Sequence, residues 1–405
     1  KGSAPRKVSI IGGENNENSG IDSSILGGQK NIIKGNRYSA IIGGLCNELN
    51  STAGFNGLQA IVAGKNNAIC NAAYNSSILA GEGDKICYGT HSSIIGGKDN
   101  IICCSRAVSI GGCEHLVKGD GAVTVGGNTN KVYGTVGAIV GGLNNKVCTS
   151  NTTIVGGQCI QLSAGTGHFA AGGVNNFIDT STEGKASIIT GCGNQNRSVG
   201  GVIAGGKANI AGCNTSSTYV GPDGTGGRPL GGYVFVGGGI SNHATGGHTA
   251  ALGGQCNCVY GNSNSILGGY GNIISQKAAS TNSLFWSYVG DDSSAAKLKF
   301  TRQLPKVVYA STIVGGLSNR IDAPFSAVLG GMNNTILSGE GSSEHNGLFS
   351  QVHSNSFIAG SNITSVSGNM LHANMLFLSA AALPTADPGI AGVVWRDGTD
   401  LKISV

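Results

Sequence analysis

The side chains in this chain that could do chemistry are few and scattered. Eight histidines (91, 115, 168, 243, 248, 345, 353 and 372) share no phase with Ser and Asp that would set up a nucleophile, a base and an orienting carboxylate. Two carboxylate pairs, Asp291 with Asp292 and Glu340 with Glu344, are of the type a glycan-cleaving acid and base would need. Both fall in irregular segments, where solvated carboxylates are the commoner outcome, so no catalytic residue is assigned. Gly81-Glu82-Gly83-Asp84-Lys85 and the glycine-rich stretch 221–227 look superficially like phosphate loops, but neither joins a strand to a helix.

Of the 12 cysteines, Cys46, Cys159 and Cys256 share one sequence phase, and Cys70, Cys103 and Cys148 share another. Their expected role is that of small apolar fillers, with disulfides between neighbouring coils or chains as the alternative. Cys256-x-Cys258 with His243 or His248 is the one metal-like cluster, and its spacing fits no zinc pattern. Neither a metal nor a cofactor is expected. Aromatic residues make up only 5% of the chain, so their concentration in 276–310 is informative. Aromatic faces beside carboxylates bind sugars, which makes Phe285, Trp286, Tyr288, Asp291 and Asp292 the candidate glycan or receptor contact. The competing role for the same residues is to pack the segment onto the body or plug an inter-chain gap.

These residues hang on a repeat. Ser24-Ile25-Leu26-Gly27-Gly28-Gln29-Lys30-Asn31 returns as Ser93-Ile94-Ile95-Gly96-Gly97-Lys98-Asp99-Asn100, as Ala138-Ile139-Val140-Gly141-Gly142-Leu143-Asn144-Asn145, and as Ser265-Ile266-Leu267-Gly268-Gly269-Tyr270-Gly271-Asn272. The second glycine recurs from Gly13 to Gly360, mostly at intervals of 15 or 16. A period near 15 is too short for a helix pair and suits one coil of a parallel β-solenoid, with coils stacked about 4.8 Å apart. About 19 coils would make a rod on the order of 90 Å.

The repeat's parts have physical roles. Branched residues before the glycines favour a strand. The Gly-Gly pair, as at Gly28, Gly97, Gly142 and Gly269, supplies a corner or a close backbone approach. Asn31, Asn100, Asn145 and Asn272 tolerate left-handed backbone and can stack as a hydrogen-bonded ladder. Successive strand residues face opposite ways, so one residue of each Ile-Ile pair fills the coil and the other points outward. Repeated along the chain, that leaves an apolar stripe, which implies a partner surface. Another copy of the chain is the simplest partner, and three chains is the expected number by analogy with fibres.

Of the 405 residues 71 are Gly, and 11% are charged against about 25% in an ordinary globular domain. A net charge of +5 without a basic run leaves no footprint for nucleic acid. No apolar run approaches the 18 residues of a membrane span. The expected organisation is a lead-in over 1–9, coils over 10–275 with an irregular insertion at 213–236, the aromatic-rich insertion 276–310, and coils again over 311–367. A strand and hairpin cap over 368–405 closes the chain, with 393–396 expected to pair with 401–405 around Asp397-Gly398. Because the first residue is Lys, an upstream segment is expected to be missing.

The Ser-Ile-Ile-Gly-Gly-x-x-Asn-x-Ile repeats resemble those of viral and phage fibre proteins and are similar to the head repeats of trimeric autotransporter adhesins, which build three-chain β-rolls. The closing Leu383-Pro384-Thr385-Ala386-Asp387-Pro388-Gly389 segment resembles C-terminal segments of phage and large-virus structural proteins. The resemblance implies a homotrimeric structural fibre on a virion surface or tail, partnered by itself, by other virion proteins and by host-surface glycan. A cellular surface adhesin and a polysaccharide-degrading tail spike are the alternatives.

Overall fold

The computed structural model describes residues 7–50, 56–71, 73–180, 184–212, 232–261, 263–274, 310–323, 325–337 and 356–365, with short stretches at 218–219, 228–229, 371–373, 384–386, 388–389, 394–397 and 400–403. The described chain is all-β. Each coil contributes one strand before its glycine pair and one after its Asn. The strands before the glycines form a leading sheet of 20, and those after the Asn form a trailing ladder of 18 strands.

Both sheets are parallel, and in register apart from shifts between Arg37 and Ser39 and between Leu162 and Ala164. In the leading sheet, Val8–Ile10 pairs with Ser23–Ile25, so coiling begins within the expected lead-in. In the trailing sheet, Lys85–Cys87 pairs with Ala68–Cys70 on one side and Ile101–Ile102 on the other. Between the two sheets runs a line of single bridges, one residue per coil, from Glu14 through 18 coils to Met332. At about 4.8 Å per coil that stack is ~85 Å long.

The insertions leave this stack uninterrupted. Phe235–Val236, expected to be part of the irregular 213–236 segment, pairs in register with Val202–Ile203, so coiling resumes earlier than its sequence indicated. Across 276–310, Ser265–Ile266 pairs directly with Thr312–Ile313. At the C-terminal end Leu371–Ala373 adds one more parallel strand, and Val394–Asp397 pairs antiparallel with Asp400–Ile403.

The corner explains why one glycine never varies. At the second glycine of the pair φ is positive (Gly28 +91°, Gly97 +111°, Gly142 +86°), and a Cβ on Gly28 would lie 2.3 Å from the Gly44 carbonyl oxygen of the next coil. Each corner therefore stacks on the next at a separation only glycine allows. The first glycine of the pair faces open space at Gly27 and Gly43, and the chain spends Ala63, Ala80 and Thr190 there without penalty.

The ladder differs from its expected form in one respect. The left-handed residue is the one before each ladder Asn: Lys30 (φ 55°), Asp99 (φ 56°), Asn144 (φ 53°) and Gly271 (φ 65°). The ladder Asn is not left-handed; it works through its side chain. The Asn31 Nδ2 donates to the Gly27 carbonyl in its own coil and the Gly44 carbonyl in the next, while its Oδ1 accepts the Asn47 backbone N–H. Asn145 and Asn272 repeat the pattern, and the ladder bridges the 276–310 insertion through Asn319 N–H to Asn272 Oδ1 at 3.0 Å. One carboxamide thus satisfies three backbone groups that the corner buries, which is why the column is fully buried yet polar.

The interior is a file of mostly apolar side chains from each sheet, with Ser109 and Thr124 in the leading file and Asn196 in the trailing one. Ile25, Ile94, Ile139 and Ile266 enter from the leading sheet, and Ile33, Ile102, Val147 and Ile274 enter from the trailing sheet, all with no exposed surface. A second polar column lies at the start of the leading strands: Ser92 N–H donates to Ser76 Oγ, and Ala107 N–H to Ser92 Oγ. It went unread in the sequence, where Ser-Ser-Ile looks like ordinary β-strand filler.

Candidate functional site

The aromatic candidates Phe285, Trp286, Tyr288, Asp291 and Asp292 lie outside the described residues, as do Glu340 and Glu344. What the described structure brings together is the outer face of the leading sheet. Each leading strand presents two outward residues, one on either side of its inward residue. The residue after the inward one forms a column that includes Leu26, Ile42, Leu79, Ile95, Val140, Ile189, Leu267, Val314 and Leu329, these nine between 42% and 50% exposed.

The second column, before the inward residue, is mostly Ser, Ala or Thr: Ser24, Ser93, Ala138, Thr153, Ser265 and Ala327. The two columns compensate one another in size. Where the first shrinks to Ala171, Gly237 and Ala359, the second swells to Phe169, Phe235 and Phe357, and Val202 stands beside Ala204. All three phenylalanines are exposed. The coils at Val108–Ile110 and Val123–Val125 hold branched residues in both columns and turn Ser109 and Thr124 inward, hydroxyl to hydroxyl at 3.0 Å. No described residue in either column is charged. The outward positions of the trailing sheet, by contrast, hold Glu48, Lys85, Lys131, Lys146 and Arg320. The trailing column mixes these charges with Ile32, Ile101, Leu116, Phe177, Ile210 and Ile273, whereas the leading face carries no charge among the described residues.

Titratable groups enter the interior at few places. Asp84 occupies a rung of the Asn ladder with no exposed surface. Its Oδ1 accepts the Asn100 backbone N–H at 2.8 Å, while its Oδ2 has no partner. Burial, helped by the nearby Asp99 charge and opposed by the Asn100 bonds, pushes its pKa up to about 6. His115 occupies another rung with both ring nitrogens unpartnered, and burial pushes its pKa below the ordinary imidazole value. Burial also lowers His168 and His243.

His243 and Cys258 face each other on neighbouring coils. The His243 Nε2 is 2.8 Å from the Thr245 hydroxyl, while His248 stacks on Tyr233 with ring centroids 5.3 Å apart. Among the described residues no three His, Cys, Asp or Glu side chains converge as a metal site. Of the eleven described cysteines ten are half-buried and Cys192 is exposed, and Cys104 packs against the buried core.

Neither a scan against protein-family models nor a search of curated protein sequences finds a match to this chain.

Proposed function

We propose that this chain is the structural shaft of a fibre: a parallel homotrimeric rod closed along the leading sheet's outer face. The observation that carries the reading is the size compensation between the two outward columns. A face in contact with water has no reason to exchange Ile-plus-Ser for Ala-plus-Phe coil by coil. A face packed against a fixed neighbour does, because apolar interiors tolerate neither voids nor overlap. The absence of charge among the described residues of both columns supports the same conclusion.

The partner must match a ridge that repeats every coil for tens of ångströms, and another copy of the chain in parallel register has that repeat by construction. Three chains about one axis follow the resemblance of the repeats to viral fibre proteins and trimeric adhesin heads. From that resemblance we place the rod on a virion surface or tail, projecting toward a host, with glycan contact through the segment bearing Trp286. Trp286→Ala tests that contact: host attachment falls with the rod intact if it is right, and only rod stability falls if the segment is a plug.

The shaft itself is tested by the native mass from light scattering, with and without reductant. Three times 40.5 kDa is expected in both. A monomer would mean that the outer face is covered in some other way and would remove the reading.

A further inference from the structure

Three thiols stand on successive rungs along the trailing sheet. Cys70 and Cys87 are in-register partners on adjacent parallel strands. Cys103 follows Ile102, the next strand's partner of Ile86, and so stands one rung further on. The Sγ atoms of Cys70 and Cys87 are 3.1 Å apart in a direct S–H to S contact. Both side chains are half-buried on the outside of the coil, away from the apolar face, and remain within reach of a small reagent.

Parallel partners about 4.8 Å apart fall inside the ~4.4–6.8 Å Cα range that a disulfide spans. We propose that Cys70 and Cys87 form a modification site, an intrachain disulfide that staples two successive coils. With a small-molecule disulfide as oxidant, one Sγ loses its proton, attacks a reagent sulfur and expels one reagent thiolate. The second Sγ then displaces the other thiolate from the mixed disulfide. Two cysteinyl thiols become one cystine, the reagent gains two electrons, and the two protons end on the two released thiols.

Burial, with the Cys87 contact second, pushes the Cys70 pKa up to about 12. Reaction is therefore slow near neutrality and accelerates as pH rises, because the thiolate is the attacking form. The product closes a loop between residues 17 apart, restricting the unfolded chain while leaving the in-register coils in place.

The test is to incubate the full native chain with oxidised glutathione, alkylate the remaining thiols, and map the peptides. A linked pair joining Cys70 to Cys87, with two alkylatable thiols lost, is the expected result. The melting temperature should rise on oxidation and return with dithiothreitol. Cys103→Ser should keep the link and Cys87→Ser should abolish it. The proposal is overturned if both thiols alkylate after oxidation, if glutathione stays attached, if Cys87 links to Cys103, or if the link joins two chains on a denaturing gel. An intrachain link leaves the native mass unchanged, so this outcome is read independently of chain number.

Discussion

Replacing Asp84 by Asn should stabilise the coil around it, by an amount that depends on pH. In neighbouring rungs the ladder carboxamide donates its Nδ2 to two carbonyls, as Asn67 does to Ala63 and Gly81. Asp84 places an unpartnered oxygen at that point, and the ionised group there is both desolvated and opposed by carbonyl dipoles. Moving a carboxyl from 3.8 to about 6 corresponds to ~3 kcal/mol between its protonation states. The raised folded value means that the native state binds the proton more tightly than the unfolded chain does. Stability contributed by Asp84 is therefore full below about pH 4 and lost as pH rises through about 6.

Asp84→Asn removes that loss, so its gain should be ~3 kcal/mol at about pH 7.5 and close to zero at about pH 4. The buried histidines titrate with the opposite sign, since their lowered values make acid destabilising. The informative quantity is thus the difference between variant and parent at each pH. Amide exchange of peptides covering residues 81–102 reports the local opening, with the melting temperature as a second readout. An equal gain at both pH values, or a loss at pH 7.5, would refute the argument that an ionised oxygen is trapped in the ladder.

Other outcomes follow from the same geometry. Gly28→Ala should cost more than ~2 kcal/mol in thermal unfolding because φ is +91° and the Gly44 carbonyl blocks the Cβ, whereas Gly27→Ala should fall within ~0.5 kcal/mol. Asn145→Ala strands the Ile160 N–H and removes the donor shared by the Gly141, Gly156 and Gly157 carbonyls, and should cost about 2–4 kcal/mol, read as faster exchange in residues 141–160. Ile95→Lys places a charge on the apolar face, losing about 1 kcal/mol of burial per chain before the cost of desolvating it. It should shift the native mass in light scattering toward the single chain while the circular dichroism stays β; an unchanged mass would remove the face from the interface. Below about pH 6.5 His115→Asn should be more acid-resistant than its parent, because an unpartnered buried imidazole resists protonation, and an equal acid midpoint would contradict that.

The sequence by itself determined the coil. Its period, the alternation within Ile94-Ile95 and the recurring Asn100 phase follow from local stereochemistry that every repeat must satisfy separately, so each copy restates the same constraint. The outward apolar column was legible for the same reason, since two consecutive branched residues on a strand cannot both face inward.

Stacking decided the rest, because it brings together residues a full coil or more apart. Only it shows that the second glycine is fixed by the carbonyl of the following coil, that Lys30 and not Asn31 takes the left-handed turn, and that Phe169 answers Ala171 across a strand face. Cys87 shares the phase of Cys70 and Cys103, six places after the second glycine, but Asp84 replaces the Asn that marks that phase elsewhere, and the in-register pairing is what put the Cys70 and Cys87 thiols in contact. The insertions, including 213–236, hid how early coiling resumes, because a strand of two residues such as Phe235–Val236 acquires its register from the coils beneath it and has none of its own.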